Sequence, residues 1–458
     1  MARVFMQRIT WRLPGLIASE TVLIVGAVTL STYLQLPEAM SWRQLPKAAL
    51  IAVVFQVCLY YAELYDFRVI SGRRELFVRL LQALAWTSLL LAALYFVFPQ
   101  LVIGTGVFVI ASAFAIGAVV SWRVMFEWVA HRVGNRERLL LVGTSAAAVS
   151  LARELFDRTD LGVRIVGFID PDPARVGEPV INPGIIGTIE DIPQIIRSHS
   201  VDRVVVSLAD ARGRLPMDKL LDMKLDGVTF DHLASVYEEY TGKIAVENLR
   251  PSWLIFSAGF RKSRTLQTVK RTIDVIVAGA GLVCAMPVML AVAIAVKLTS
   301  PGDVLFKQRR VGRSGRVFTL YKFRSMHDGA ETLTGAVWAQ PNDSRVTPVG
   351  RFLRRTRTDE LPQFWNVLRG DMSLVGPRPE RPEFVSDLTK DIPFYGQRHV
   401  VKPGLTGWAQ VRHCYGSSVK DAMEKLQYDL FYIKNMSIPL DLFIFFKTIQ
   451  TVILRRGT

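Results

Sequence analysis

Ile273-Asp-Val-Ile-Val-Ala-Gly-Ala-Gly-Leu-Val-Cys-Ala-Met-Pro-Val-Met-Leu-Ala-Val-Ala-Ile-Ala-Val-Lys-Leu298 is the stretch on which the architecture turns. It exceeds the ~20 apolar residues that cross a hydrocarbon core. Yet Pro287 stands in its middle. Proline removes a helix hydrogen bond and clashes with the preceding turn, here near Val283. Lys270 and Arg271 lie before the stretch, and Lys297, Lys307, Arg309 and Arg310 lie at its other end. Positive charge at both ends favours keeping both ends in the cytoplasm. The expectation is therefore a re-entrant membrane helix over 273–298, kinked at Pro287, rather than a straight span.

Four more apolar stretches precede it, running approximately Leu13 to Leu36, Ala48 to Tyr65, Leu76 to Phe98 and Leu101 to Trp122. Each approaches the length of a membrane crossing. The first lacks a small-residue cleavage site, so it reads as a span and not as a removable signal. Arg3, Arg8 and Arg12 precede the first, Arg68, Arg73 and Arg74 join the second to the third, and Arg123, Arg132, Arg136 and Arg138 follow the fourth. By the positive-inside rule the N-terminus and everything after the fourth span face the cytoplasm. Glu20 inside the first span reads as an interfacial or helix-pairing carboxylate rather than a functional ion site. The 458 residues carry a formal charge of +16, and half of them are apolar. A basic membrane protein suits anionic lipid and phosphorylated substrates better than nucleic acid. Cys58, Cys284 and Cys414 show neither metal nor disulfide spacing.

Between the two membrane regions, strands alternate with helices. Leu139 to Val142, Arg164 to Asp170 and Arg203 to Ser207 read as strands, and Ser145 to Asp157 and Ile189 to His199 as helices. That alternation implies a parallel sheet in a Rossmann-like domain. Gly143-Thr-Ser-Ala-Ala-Ala148 keeps only the first glycine of the dinucleotide fingerprint, so the expected role is structural or regulatory.

The chemistry lies further on. Lys307, Arg309, Arg310, Arg313, Arg316, Lys322 and Arg324 form one basic cluster, and Arg351, Arg354, Arg355 and Arg357 a second. They flank the carboxylate pair Asp359-Glu360, which is followed by Gly376-Pro377-Arg378-Pro379. A carboxylate can attack phosphorus as a covalent nucleophile. Magnesium takes one or two carboxylates plus substrate phosphates. An arginine fixed between Pro377 and Pro379 presents a preorganised fork for phosphate oxygens.

Tyr321-Lys-Phe-Arg-Ser-Met326, Asp359-Glu-Leu-Pro-Gln363, Asn366-Val-Leu-Arg-Gly-Asp-Met-Ser-Leu-Val-Gly-Pro-Arg-Pro379, Val401-Lys-Pro-Gly-Leu-Thr-Gly-Trp-Ala-Gln410 and Tyr428-Asp-Leu-Phe-Tyr-Ile-Lys-Asn435 occur in that order. The block from about Val269 onward resembles the catalytic domain of the monotopic phosphoglycosyl transferases, the bacterial sugar transferases of exopolysaccharide assembly. The four spans and the degenerate Rossmann-like domain resemble that superfamily's large branch, the polyprenyl-phosphate hexose-1-phosphate transferases. The expected fold is a membrane α plus α/β protein. It has four transmembrane helices (1–137), a Rossmann-like domain (138–262) and a mainly helical monotopic catalytic domain (263–458).

The resemblance implies transfer of hexose-1-phosphate from a UDP-hexose to undecaprenyl phosphate with release of UMP. Asp359 would be the nucleophile through a phospho-aspartyl intermediate, and Glu360 would assist with magnesium or positioning. Arg354 and Arg378 would bind phosphates, with Lys322, Arg324, Pro377 and Pro379 in the substrate-binding set and Asp359 and Glu360 as the metal ligands. Where the family often has serine before the kink proline, this chain has Met286. Membrane lipids are expected partners, and a homo-oligomer remains open. Two rivals are a membrane-bound nucleotide-sugar dehydratase or epimerase and a non-catalytic assembly scaffold. The first would need an intact glycine fingerprint and a Tyr-x-x-x-Lys base, but Tyr240-Thr-Gly-Lys243 has its lysine one place early. The second would not need Asp359, Glu360, Arg378 and the basic clusters together.

Overall fold

A computed structural model describes residues 12–35, 44–62, 64–65, 73–103, 106–133, 137–157, 163–207, 217–246, 257, 259–260, 262–330, 343–413 and 418–453. Arg3, Arg8, Arg68, Arg136 and Cys414 lie outside the described residues. The chain divides into two compact units, one comprising mainly 2–144 and 152–230, the other 145–151 and 231–458.

The first unit opens with helices α1 (Arg12–Gln35), α2 (Leu45–Tyr61), α3 (Arg73–Val97) and α4 (Val107–Val133). All four fall on the apolar stretches of the sequence. Gly15–Gln35 and Val78–Val97 are long and apolar enough to cross a membrane; Leu45–Tyr61 and Val109–Arg123 are shorter apolar segments. With Arg264–Thr299 in the second unit there are three such helices among the described residues, and they mark a membrane protein. Ile24 and Ala27 of α1, Phe55 and Leu59 of α2, Leu80 and Ala83 of α3 and Ala115 and Val119 of α4 share one buried cluster. Glu20 is fully buried and is indeed a helix-pairing carboxylate. Arg123 of α4 donates to it from Nε at 2.6 Å and from Nη2 at 3.2 Å. The Tyr65 hydroxyl donates to it at 2.6 Å.

A five-stranded sheet follows, built from β1 (Glu137–Val142), β2 (Val163–Ile169), β3 (Ile185–Gly187), β4 (Arg203–Val206) and β5 (Thr229–His232) in the order β3-β2-β1-β4-β5. Its pairings β1–β2, β1–β4 and β2–β3 are parallel. The connecting helices are α5 (Ala146–Asp157), α6 (Ile192–His199) and α7 (Met217–Leu225). Leu139 to Val142 and Arg203 to Val206 are buried throughout, as expected of parallel strands covered on both faces. Asp170 follows β2, where a dinucleotide fold presents the carboxylate for its ribose. Here it is buried and accepts from the Thr144 hydroxyl and from Arg175 Nη1, each at 2.7 Å.

The second unit begins with α8 (Leu233–Thr241) and is dominated by α9 (Arg264–Thr299), a helix of 36 residues. The helix begins well before the apolar run, because the Ser263 hydroxyl caps it by accepting from Leu266 N–H. It continues unbroken through Pro287. An antiparallel hairpin follows, β6 (Leu305–Val311) and β7 (Val317–Phe323), and then α10 (Pro348–Thr356), a 3-10 turn (Thr358–Glu360) and α11 (Gln363–Arg369). Strand β8 (Ser373–Val375) pairs in parallel with β9 (Gly404–Thr406), with α12 (Pro382–Asp391) between them. Helices α13 (Trp408–Arg412), α14 (Val419–Asn435) and α15 (Ile438–Ile453) complete the unit.

Both ends of α9 are fastened. Near its start the Asp274 carboxylate accepts from Ser373 Oγ at 3.1 Å and from Leu374 N–H at 3.0 Å, joining it to β8. Arg271 donates to the carbonyls of Val367 and Leu368, which close α11. Lys270 pairs with Asp441 of α15 at 2.6 Å. Near its end, Val292 and Val296 pack with Phe323 of β7 and Leu353 of α10. Between these anchors Val283, Met286 and Leu290 are exposed.

The Glu20–Arg123 pair gives a direct test of what joins α1 to α4. Glu20→Gln leaves Arg123 charged in an interior with its partner neutralised, and breaking one side of a buried pair costs roughly 3–5 kcal/mol. The thermal midpoint in detergent is expected to fall. The double variant Glu20→Gln/Arg123→Met is expected to recover most of the loss. A double variant no more stable than the single one would remove the pair from its assigned role.

Candidate functional site

The carboxylate pair sits where α10 ends. Arg357 adopts a left-handed conformation (φ 57°) that stops the helix, and the chain turns through Thr358–Glu360 into α11. Asn366 then locks α11 to the hairpin. Its amide donates to the Thr319 carbonyl at 2.7 Å and accepts from Tyr321 N–H at 3.1 Å. That clamp sets the level at which Lys322, the next residue of β7, meets the pair.

The two carboxylates have different surroundings. Glu360 Oε1 lies 2.8 Å from Arg378 Nη2, 3.1 Å from Lys322 Nζ and 3.8 Å from Arg357 Nη1. Burial alone would raise its pKa, but the charges of Arg378, Lys322 and Arg357 outweigh burial and hold it well below the ordinary glutamate range. Asp359 is 7% exposed, and its Oδ1 has no hydrogen-bond partner among the described residues. Burial lifts its pKa above the ordinary value; Lys322 opposes the rise, the neighbouring Glu360 charge adds to it, and Arg357 and Arg354 oppose it.

Arg378 is presented by a loop whose backbone is held residue by residue. Gly376 N–H donates to the Thr406 carbonyl at 2.9 Å, and the Pro377 carbonyl accepts from Gly404 N–H at 2.9 Å. The Arg378 carbonyl accepts from Arg398 Nη2 at 3.1 Å, and the Pro379 carbonyl from Arg310 Nη1 at 3.0 Å. The Glu380 carbonyl accepts from Val311 N–H at 2.9 Å. Gly376 approaches the Lys402 backbone so closely that a Cβ there would lie 2.5 Å from the Lys402 oxygen. Arg398 is itself buried and pairs with Asp429 at 2.8 Å. Burial raises the Asp429 carboxyl to about 6 against the opposing charge of Arg398.

Of the residues singled out in the sequence, Glu360, Lys322 and Arg378 are in direct contact, and Asp359 adjoins them. Arg354 donates from Nε to Ser325 Oγ at 2.8 Å and acts on Asp359 through its charge. Pro377 and Pro379 shape the loop through their carbonyls. Arg324 is directed elsewhere: its Nη2 donates to the Ser300 carbonyl and hydroxyl, each at 2.8 Å, at the end of α9. Pro287 lies within α9 between its two anchors. Arg357, Asn366, Arg271 and Asp274 were not singled out as site residues. Three of them were visible as a basic-cluster member, a motif member and a flanking charge. Asp274 was a lone carboxylate inside an apolar run, a signal of its own. Among the described residues no group of three or more His, Cys, Asp or Glu side chains stands ready to hold a metal. Lys243, the misplaced lysine of the rival dehydratase motif, pairs with Glu424 at 2.7 Å.

An apolar helix rooted in a domain that carries a cation-ringed carboxylate pair marks a membrane protein with a cluster of buried charge beside that helix. Comparison with known proteins narrows this class. The family described as bacterial sugar transferase matches residues 265–455, and one described as a CoA-binding domain matches 61–215. The UDP-glucose:undecaprenyl-phosphate glucose-1-phosphate transferase of Escherichia coli (strain K12) is 34% identical over 343 residues, 71% of this chain and 70% of that protein. A protein of the same description from Xanthomonas campestris pv. campestris is 35% identical over 317 residues, 67% of this chain and 64% of its own length. The UDP-N-acetylgalactosamine-undecaprenyl-phosphate N-acetylgalactosaminephosphotransferase of Aeromonas hydrophila is 46% identical over 222 residues, 48% of this chain and 52% of the relative. This chain belongs to the bacterial sugar transferase family. It spans about half of the Aeromonas relative and just under two thirds of the Xanthomonas one.

The clamp at Asn366 carries a measurable load. Asn366→Leu removes two half-buried hydrogen bonds, to the Thr319 carbonyl and from the Tyr321 N–H, each worth about 0.5–1.5 kcal/mol. A fall in thermal midpoint is expected. An unchanged midpoint would mean that α11 is held to β7 by other contacts.

Proposed function

We propose that this protein transfers hexose-1-phosphate from a UDP-hexose to undecaprenyl phosphate, giving undecaprenyl-diphosphate-sugar and UMP. The observation that carries the reading is the unequal carboxylate pair. Asp359 keeps an unpartnered, buried oxygen, while its neighbour Glu360 is held ionised by Arg378, Lys322 and Arg357. The names of the relatives supply the substrate class, and they divide between glucose and N-acetylgalactosamine. A Rhizobium leguminosarum relative named an exopolysaccharide production protein supports a place at the first membrane step of glycan assembly.

In this reading Asp359 attacks the β-phosphorus and UMP departs; undecaprenyl phosphate then takes the sugar phosphate from the aspartyl adduct. Arg378 and Arg354 receive phosphate oxygens, with Lys322 beside them. Magnesium fits the donor set: two adjacent carboxylates are within the one or two it takes from protein, and a diphosphate supplies further oxygens. Asp359 and Glu360 would hold it, and it would offset the repulsion between carboxylate and diphosphate. The domains are read as 1–137, 138–262 and 263–458, with four membrane spans and a catalytic domain on the cytoplasmic face of the bacterial inner membrane.

Asp359→Asn is expected to abolish transfer while the protein stays folded and membrane-bound. It should also abolish a trapped sugar-phosphate adduct that the wild-type protein forms with a radiolabelled UDP-sugar. A fully active Asn variant would end the nucleophile assignment, and a panel of UDP-sugars in the same assay names the sugar.

Pro287 and the anchors of α9 support a helix that enters and leaves the membrane on one side. At ~1.5 Å per residue, a straight helix of this length is on the order of 54 Å and could cross. Its start is tied to α11 and β8, its end packs on β7 and α10, and Asn366 ties α11 to β7. A true span would place these mutually bonded elements on opposite faces. Lys270 is engaged with Asp441, so single cysteines are better placed at the exposed Thr268 and Pro301, in a background lacking Cys58, Cys284 and Cys414. In intact cells both are expected to resist a membrane-impermeant thiol reagent, and both should react once the membrane is opened. Labelling at position 301 from outside would establish a crossing.

A further inference from the structure

Two buried polar atoms near the carboxylate pair lack partners among the described residues, Asp359 Oδ1 and Gln363 Nε2. They lie on one stripe. From Thr358 the chain runs through a 3-10 turn into α11, and its buried positions are Asp359, Pro362, Gln363, Asn366 and Val367. Spacings of three and four mark a single face of a helical segment. That face meets β7. At its far end Asn366 uses both amide atoms on Thr319 and Tyr321, and at its near end Glu360 meets Lys322. Gln363 lies between these contacts, 3% exposed, with its amide hydrogens unclaimed. Buried side-chain donors in folded proteins nearly always have a partner, and an exception on a reactive face asks for a ligand.

We propose that Gln363 is a catalytic residue whose Nε2 amide donates to a non-bridging oxygen of the phosphoryl group that Asp359 attacks. The inference rests on the nucleophile reading above. In that step an Asp359 carboxylate oxygen forms a bond to the β-phosphorus of the UDP-sugar. The bond from that phosphorus to the bridging oxygen breaks, and its electron pair leaves on UMP. Charge is carried by the non-bridging oxygens throughout, and a preorganised donor aimed at them lowers the barrier. A neutral amide suits this place. A lysine or arginine there would pair with the Asp359 carboxylate and blunt the nucleophile, whereas an amide donor serves the phosphoryl oxygen and leaves the carboxylate free. Of the nearby cations, Lys322, Arg357 and Arg378 are shared with Glu360, and Arg354 donates from Nε to Ser325.

The test uses the full-length protein in detergent or nanodiscs. Gln363→Met removes the donor at similar size, and kcat for transfer is expected to fall about 10²–10³-fold, as on loss of one oxyanion donor. KM for the UDP-sugar should change far less. The thermal midpoint should stay level or rise, because the amide removed had no partner to lose. Gln363→Glu should be slower than Gln363→Met, since its carboxylate repels the phosphoryl group. Rapid-quench trapping should still find the adduct on Asp359 in the Met variant, formed more slowly. A Met variant that turns over at the wild-type rate, or one whose midpoint collapses in step with its activity, overturns the proposal while an adduct in the wild type leaves Asp359 standing. Absence of any adduct in the wild type overturns the nucleophile reading, and this inference with it.

Discussion

The attachment of one apolar helix to a single polar body organises the second unit. Helix α9 leaves Val283, Met286 and Leu290 exposed, so its middle gains little from the protein itself. Its position is set at the ends. Asp274 gives up its carboxylate to Ser373 and to the Leu374 amide, and Arg271 spends its guanidinium on the last carbonyls of α11. A buried carboxylate is tolerated when its lone pairs meet donors, and an unpaired one is expensive. The same bonds that satisfy Asp274 place β8, and β8 leads directly into the loop that carries Arg378. The start of α9 and the Arg378 loop are thereby joined through a short chain of hydrogen bonds.

The pair Asp359-Glu360 shows how neighbours in sequence acquire different properties. Two adjacent carboxylates in a half-dry site repel each other, and the repulsion is relieved unevenly. Glu360 lies within reach of three cations from β7, the helix end and the Gly376–Pro379 loop. Asp359 feels Lys322, Arg357 and Arg354 at longer range and keeps an oxygen free. Burial is the larger influence on Asp359, and its carboxyl is correspondingly harder to ionise than an exposed aspartate. Such a group is less stabilised by solvent than an exposed aspartate.

The apolar stretches and the alternation of strand and helix were legible because burial imposes a period on hydrophobicity. The starts of α1 through α3 and the strands β1, β2 and β4 fall within a few residues of where the sequence puts them, whereas α4 (Val107–Val133) is displaced toward the C-terminus from the expected Leu101 to Trp122. The hairpin β6–β7 was not legible. Its strands carry Lys307, Arg309, Arg310 and Lys322, and a run of that composition reads as a charge cluster. Strands β3 and β5 are too short for a period to emerge. At the site, the motif residues Asp359, Glu360 and Arg378 could be named, but their partners could not. Glu20 and Arg123 are 103 residues apart, and Asp274 and Leu374 are 100 apart, so no local pattern announces either contact. Arg324 illustrates the converse. Its place in a basic cluster suggested phosphate, whereas its hydrogen bonds fasten the end of α9 to β7 through Ser300.

The motif segments divide the work between contact and support. Tyr428 to Asn435 lies in α14, with Asp429, Leu430 and Tyr432 buried. Asp429 pairs with Arg398, and Arg398 holds the Arg378 carbonyl, so a carboxylate in this segment bears on the site through two intermediaries. Tyr432 donates to Asp441, which pairs with Lys270 at the foot of α9. One segment thus braces the Gly376–Pro379 loop on one side and the apolar helix α9 on the other. The ionised form of Asp429 is not favoured by its surroundings, since burial outweighs Arg398 and lifts its pKa to about 6. A buried ion pair of this kind adds little to stability relative to apolar packing. What it provides is direction: Asp429 and the Tyr395 hydroxyl hold the Arg398 guanidinium where it meets the Arg378 carbonyl.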